Sequence, residues 1–277
     1  MRNQKVSVWQ RFSGFPVTII ILIFTVIISL IGIVLFFSVP GSLNYLALQP
    51  NAILSGNFVW TLFTHFFLHA GIFHLFVNMF TLFFIGILCE RIIGRKRFLW
   101  FYLIAGLFAG LFFVAAAYFG GLLGWENVLG DPGAYGVGAS GVLFGFIGLL
   151  AVLLPKKKVV LIAGPIILIV IQFLALPYVP EDLRGVFGIV MNILIFFSLF
   201  GLFIRNSFFE KFTVPIVMPL WVAPVVAIVP LTIISLFVSL PIANTAHLGG
   251  LIIGLGYGVY LRLKYSRKIS MLGKHFK

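Results

Sequence analysis

FPVTIIILIFTVIISLIGIVLFFSV, residues 15–39, contains no Asp, Glu, Lys or Arg and no alternation of polar with apolar side chains. About 20 apolar residues suffice to cross the hydrocarbon of a bilayer as a helix, so this run reads as a transmembrane span, roughly 16–38. It follows Arg2, Lys5 and Arg11, the flank of a signal peptide, but it is too long for an h-region and lacks a small-residue cleavage site. Working outward, further apolar runs lie at roughly 70–92, 98–120, 139–154, 159–178, 186–204, 214–239 and 245–263. Overall 62% of the 277 residues are hydrophobic and 9% are charged, against about half and about a quarter in soluble chains. A barrel would need short alternating strands. The expected fold is therefore all-α, a polytopic transmembrane helical bundle of about eight spans.

The net charge of +13 raises the question of nucleic acid, and the placement of the charges answers it. Lys and Arg cluster at Arg2–Arg11, Arg91–Arg97, Lys156–Lys158, Arg205–Lys211 and from Arg262 to the end, after every second span, while Glu126, Asp131, Glu181 and Asp182 occupy the intervening loops. This is the positive-inside pattern, and the basic loops suit lipid headgroups. We expect a multi-pass protein of a cell membrane, both termini cytoplasmic, with residues 264–277 a basic tail and no nucleic-acid partner. Cys89 is the single cysteine, so no intramolecular disulfide is implied.

Two connections are long. Residues 40–69 carry no Lys or Arg and include Tyr45, Phe58 and Trp60, which suggests a segment lying in the interface. Residues 120–138 hold seven glycines, from Gly120 to Gly138, with Pro132 among them. Backbone that irregular is tolerated at membrane depth only inside protein or beside water. The fourth span would then start below the outer surface, with Ser140 at a buried helix N-terminus facing a cavity. No internal repeat of the kind that marks transporters is visible.

Polar side chains within the spans are few. His74 and Asn78 share one face of the second span, Ser140 opens the fourth, and His247 follows the start of the eighth. All fall in the outer half of the bilayer on this topology. Taken singly, a serine among glycines is a packing residue and an intramembrane histidine or asparagine is interhelical glue. Together at one depth they supply a nucleophile, a base and two donors, the components of acyl transfer.

His69-Ala70-Gly71 through His74 and Asn78-Met79, Gly86-x-x-x-Glu90-x-x-x-Gly94, Gly138-Ala139-Ser140-Gly141 and Ala246-His247-x-x-Gly250-x-x-x-Gly254 resemble the rhomboid family of intramembrane serine proteases, over about residues 58–260. The resemblance implies Ser140 as nucleophile, His247 as general base, and His74, Asn78 and the Ser140 backbone N–H as oxyanion donors. It implies cleavage of transmembrane segments of other membrane proteins through an acyl-enzyme, with no cofactor and no metal. The alternative is a catalytically silent rhomboid-like protein that binds membrane helices; such relatives usually lack the serine or the histidine. No carboxylate is placed to complete a triad, so aromatic or aliphatic packing is expected to orient His247. Glu90 with Arg91 reads as a structural pair or loop anchor.

Two features depart from the family pattern. Trp60 is followed by Thr61 where the family often carries Arg. Ser140 and His247 are 107 positions apart, room for three spans where the family has one. Met218-Pro219-Leu220-Trp221 onward resembles the family's usual fifth helix, so 159–204 is expected to be an inserted helix pair on a six-helix core. Pro215, Pro219, Pro224 and Pro230 make the seventh span a candidate gate for substrates.

Overall fold

The computed structural model describes residues 16–204, 211, 213–236 and 243–275. The basic residues Arg2, Lys5, Arg11, Arg205 and Lys277, and residues 237–239 of the expected seventh span, lie outside them. The chain is a helical bundle. Its principal helices are α1 (Val17–Ser38), α2 (Ile72–Ile93), α3 (Arg95–Leu123), α4 (Ser140–Leu153), α5 (Gly164–Ala175), α6 (Arg184–Ile204), α7 (Ala223–Ser235), α8 (Asn244–Lys264) and α9 (Ser266–His275). Among the described residues, five helices are long and apolar enough to cross a membrane, those starting at Val17, Ile72, Arg95, Glu181 (a helical turn continuous with α6) and Asn244. α4, α5 and α7 are shorter apolar helices.

Lipid inverts the usual burial pattern. On α1 the inward face is Thr18, Ile21, Thr25, Ser29 and Gly32, at helical spacing, while Ile20, Ile23, Phe24, Ile27 and Ile31 point outward. Small and polar residues let helices approach and bond where hydrocarbon gives no hydrophobic drive between them. The core beneath is aromatic: Phe98 stacks on Phe146 at 5.0 Å, with Tyr102 and Phe66 fully buried beside them.

Glu90 does not pair with Arg91, because neighbours in a helix point in different directions. It is buried and reaches the start of α1, accepting the Val17 and Thr18 backbone N–H groups at 2.8 Å and the Thr18 hydroxyl at 2.6 Å. The first amides of a helix lack intrahelical partners, so this carboxylate caps α1 from α2. Arg95 Nε lies 3.7 Å away. Gly94, at φ +83°, makes the reversal between α2 and α3 that an L side chain would resist.

The expected fifth and seventh spans begin later than the apolar runs do. Residues Lys158–Ile162 form strand β1 and Pro215–Pro219 form β2, antiparallel, with Lys158 opposite Pro219 and Ile162 opposite Pro215. Both are Val- and Ile-rich, and β-branched residues suit a pleated strand. Pro215 and Pro219 therefore belong to a strand rather than to a helical gate; only Pro224 and Pro230 lie in α7. The ribbon brings the chain back to where it left, so α5 and α6 depart and return at one place. They pack on each other, and α6 meets α2 through Phe196 and Phe200 against Phe76 and Phe80, with centroids 5.4–5.6 Å apart. The segment after Lys264 is also helical: α9 packs Ile269 toward the core.

Candidate active site

α4 and α8 meet backbone to backbone. A Cβ on Gly250 would stand 1.8 Å from the Gly141 carbonyl oxygen, and one on Gly254 would stand 2.0 Å from that of Gly145. Only glycine permits this approach. The same seam sets the polar pair. His247 Nε2 lies 2.8 Å from Ser140 Oγ, within strong hydrogen-bond range. His247 is buried at 8% exposure, and its ring stacks on Phe144 at 4.3 Å and 10°. Phe144 sits four residues after Ser140, on the same face of α4, so one helix carries both the hydroxyl and the ring that flattens the imidazole toward it. The Asp131 carboxylate is engaged in its own loop, accepting the Gly133 N–H at 2.7 Å.

The glycine-rich connection is pinned before it reaches Ser140. Leu48 and Gly136 exchange both backbone hydrogen bonds, at 3.0 and 2.7 Å, and the Gly138 N–H donates to the His65 carbonyl at 3.0 Å. Gly138 has φ +129°, and a Cβ there would lie 2.9 Å from the His74 ring. His74 thus sits against the peptide two residues before the serine. Its ring packs edge-on to His69 at 5.0 Å. Asn78 is buried one turn below; its Nδ2 donates one N–H to the His74 carbonyl at 2.9 Å, and its Oδ1 has no hydrogen-bond partner. Ser140 is the first residue of α4, so its backbone N–H is one of the amides that no intrahelical carbonyl can satisfy.

In the 40–69 connection, Trp60 Nε1 donates to the Tyr45 carbonyl at 2.9 Å and the buried Thr61 hydroxyl to the Phe58 carbonyl at 2.7 Å. Threonine at 61 thereby supplies a local anchor. Burial pushes the His65 imidazole down to about 4 and that of His69 down to about 3, so both are neutral at pH 7. Behind Ser140 a cavity of about 30 Å³, lined by Leu48, His65, Phe66, Phe113, Ser140 and Ala246, has room for one or two waters.

A family model for the rhomboid domain matches residues 56–179 and again 159–264. The chain belongs to the rhomboid family. The two matches overlap on 159–179, at the start of the segment that leaves the bundle through the β ribbon. Among rhomboid relatives, RHOMBOID-like protein 1 of Arabidopsis thaliana is 39% identical over 102 residues, 37% of this chain and 23% of that protein. Rhomboid protease GluP of Bacillus subtilis is 36% identical over 127 residues, 44% of this chain and 22% of GluP. Inactive RHOMBOID-like protein 8 of Arabidopsis thaliana is 36% identical over 74 residues, 27% and 20% of the two chains. The matched stretches span about a fifth of each of these relatives. Rhomboid proteins are usually serine proteases that act on membrane proteins, and the relatives of this one include a protease and an inactive protein.

Ser140, His247 and His74 are thus gathered at one place by α4, α8 and α2, with Asn78 one turn below His74. Phe144, His65, His69 and Ser29 were not singled out from the sequence for any role at this site. The spacing of Phe144 four residues after the serine was a usable signal, as was the i, i+4 pair His65 and His69 directly before α2.

Proposed function

We propose that this chain is an intramembrane serine endopeptidase that cuts transmembrane segments of other membrane proteins. The 2.8 Å contact between Ser140 Oγ and His247 Nε2, within a bundle of lipid-facing helices, carries this reading. A serine hydroxyl attacks an amide only when a hydrogen-bonded base takes its proton. The Ser140 proton passes to His247 Nε2 as Oγ bonds to the scissile carbonyl carbon. The charge that develops on the carbonyl oxygen falls to the Ser140 backbone N–H, His74 and the remaining Asn78 N–H. Each fixed donor of this kind stabilises a transition state by about 3 kcal/mol. The protonated His247 then returns its proton to the leaving amine, the C–N bond breaks, and a water attacks the acyl-enzyme with His247 again as base. The stacked Phe144 ring holds His247 in place of a third polar residue. No cofactor or metal enters this sequence.

Substrates on this reading are membrane helices that unwind near their outer ends, since a helical peptide hides its carbonyls, with a small residue before the cut. On this reading the membrane is a cell membrane, both termini face the cytoplasm, as the positive-inside distribution of the basic clusters favours, and the dyad lies toward the opposite face. The six-helix core then comprises α1–α4, α7 and α8, and α5–α6 is an inserted pair.

The inactive relative supports a second reading, a rhomboid that binds membrane helices without cutting them. Labelling of the purified protein by a fluorophosphonate probe separates the two. The protease reading expects labelling of the wild type and none of Ser140→Ala or His247→Ala, with His74→Ala slower by about 10²-fold. A folded wild type that neither labels nor cuts a model membrane helix would establish the binding reading instead.

A further inference from the structure

His69 is fully buried and stands between two helices and the loop that delivers the serine. Its Nδ1 lies 2.9 Å from Ser29 Oγ on α1, and its Nε2 is 3.4 Å from the backbone N of Ala139. Ser29 Oγ also lies 2.9 Å from the Phe67 carbonyl. One proton arrangement satisfies all three contacts. The Ala139 N–H can only donate, so Nε2 must present a lone pair, and a neutral imidazole then carries its proton on Nδ1. That proton goes to Ser29 Oγ, which leaves the Ser29 O–H for the Phe67 carbonyl. Each member is fixed by the next, from the carbonyl of the 40–69 connection through α1 to the peptide before Ser140.

We propose that His69 is a positioning residue for the reaction, holding the Ala139 N–H so that the next amide, that of Ser140, is aimed at the oxyanion. This rests on the proteolytic reading of the site. The Leu48–Gly136 and Gly138–His65 bonds fix the loop as far as Gly138; the His69 contact is the last before α4 begins. A small rotation of the 139–140 peptide would swing the Ser140 N–H away while leaving the Ser140–His247 pair close to its place. The consequence is a specific kinetic signature: loss of kcat with KM unchanged.

The test compares His69→Leu, which removes the acceptor, with His69→Gln, whose side-chain oxygen can replace Nε2. The full-length purified protein is assayed on a single-span peptide carrying a fluorophore and quencher, with thermal unfolding followed in parallel. His69→Leu should lose about 30-fold in kcat at constant KM, the size of a misplaced catalytic group, and His69→Gln should recover most of it. If the leucine variant fails to fold, Ser29→Ala and Ser29→Thr pose the same question through the tautomer: a severalfold kcat loss for alanine, restored by threonine. An active wild type whose folded leucine variant keeps its kcat, or whose glutamine variant is no better than leucine, overturns the positioning role alone. A wild type that neither cuts nor labels overturns the proteolytic reading, and the positioning role with it.

Discussion

Two pairs of neighbouring helices in this molecule are built on opposite chemistry. α4 and α8 touch through glycine, backbone against backbone, with the Ser140–His247 contact at one end of the seam. α5 and α6 are about two-thirds Leu, Ile, Val and Phe; in α5 only Gly164 and Pro165 are buried, and α6 leans on α2 through phenylalanine rings. Inside a membrane neither pair gains from the hydrophobic effect, because lipid chains are as apolar as the side chains. Close packing alone decides how firmly two helices hold. A glycine seam permits one separation and one register. Phenylalanine rings of the kind that join α6 to α2 can repack. The first pair can therefore hold a hydrogen bond between side chains on two helices, and the second cannot be asked to.

The largest effect that would break this comparison comes from one methyl group. Gly254→Ala places a Cβ where the Gly145 carbonyl oxygen already stands, at 2.0 Å. The three nearest atoms are all Gly145 backbone, so the helices must separate. Fluorophosphonate labelling of Ser140 should fall at least about 100-fold, as expected when reacting groups move by about 1 Å. Gly256→Ala is the matched control, because nothing lies within 4 Å of its Cβ position and alanine is the better helix former by about 1 kcal/mol. It should label like the wild type and unfold slightly later. Equal behaviour of the two variants would show that the seam does not set the dyad.

What the sequence disclosed follows the same division. Uninterrupted apolar runs and periodic basic clusters located the helices α1 to α4, α6 and α8, since hydropathy over a whole span is a long-range average. The family resemblance, resting on short motifs around Ser140 and His247, named the pair that the fold then brought to 2.8 Å. The ribbon was not legible. KVVLI and PIVMP are short apolar runs that periodicity cannot assign to helix or strand, and each adjoined a longer helical run that absorbed it; their β-branched content and the flanking prolines were the available clue. Nor could spacing reveal that Ser29 meets His69, 40 positions away, or that Glu90 reaches back 72 and 73 positions to α1.

Glu90 provides the intermediate effect. Glu90→Ala strips a buried carboxylate from two amides and a hydroxyl and leaves those donors unsatisfied, at a cost of about 3 kcal/mol. Arg184 and Glu181, the ion pair at the start of α6, are 3.3 Å apart with side chains 45% and 88% exposed. Arg184→Ala should cost under about 0.5 kcal/mol, as for exposed pairs generally. Unfolding of the two variants in mixed detergent measures both. Equal losses would mean that the hairpin is as tightly tied into the fold as α1 is.

The smallest effect on labelling at Ser140 is expected where α6 meets α2. Phe196→Ala with Phe200→Ala removes three ring contacts to Phe76 and Phe80, worth about 0.5–1.5 kcal/mol per aromatic pair, and the midpoint of unfolding should drop by several degrees. Phe76 and Phe80 occupy a different face of α2 from His74 and Asn78, so the rate of probe labelling at Ser140 should stay within about twofold of wild type on the ground that separated sites are additive. On the proposed proteolytic reading a helical substrate tests something the probe does not, because it has to enter from the membrane, and α6 covers one flank of α2. If cleavage of a membrane helix changes while labelling does not, the hairpin acts on access and the two helix pairs are separable in function as they are in chemistry. If labelling itself changes tenfold, the aromatic contact is felt at the dyad, and the rigid seam is not isolated from the pair beside it.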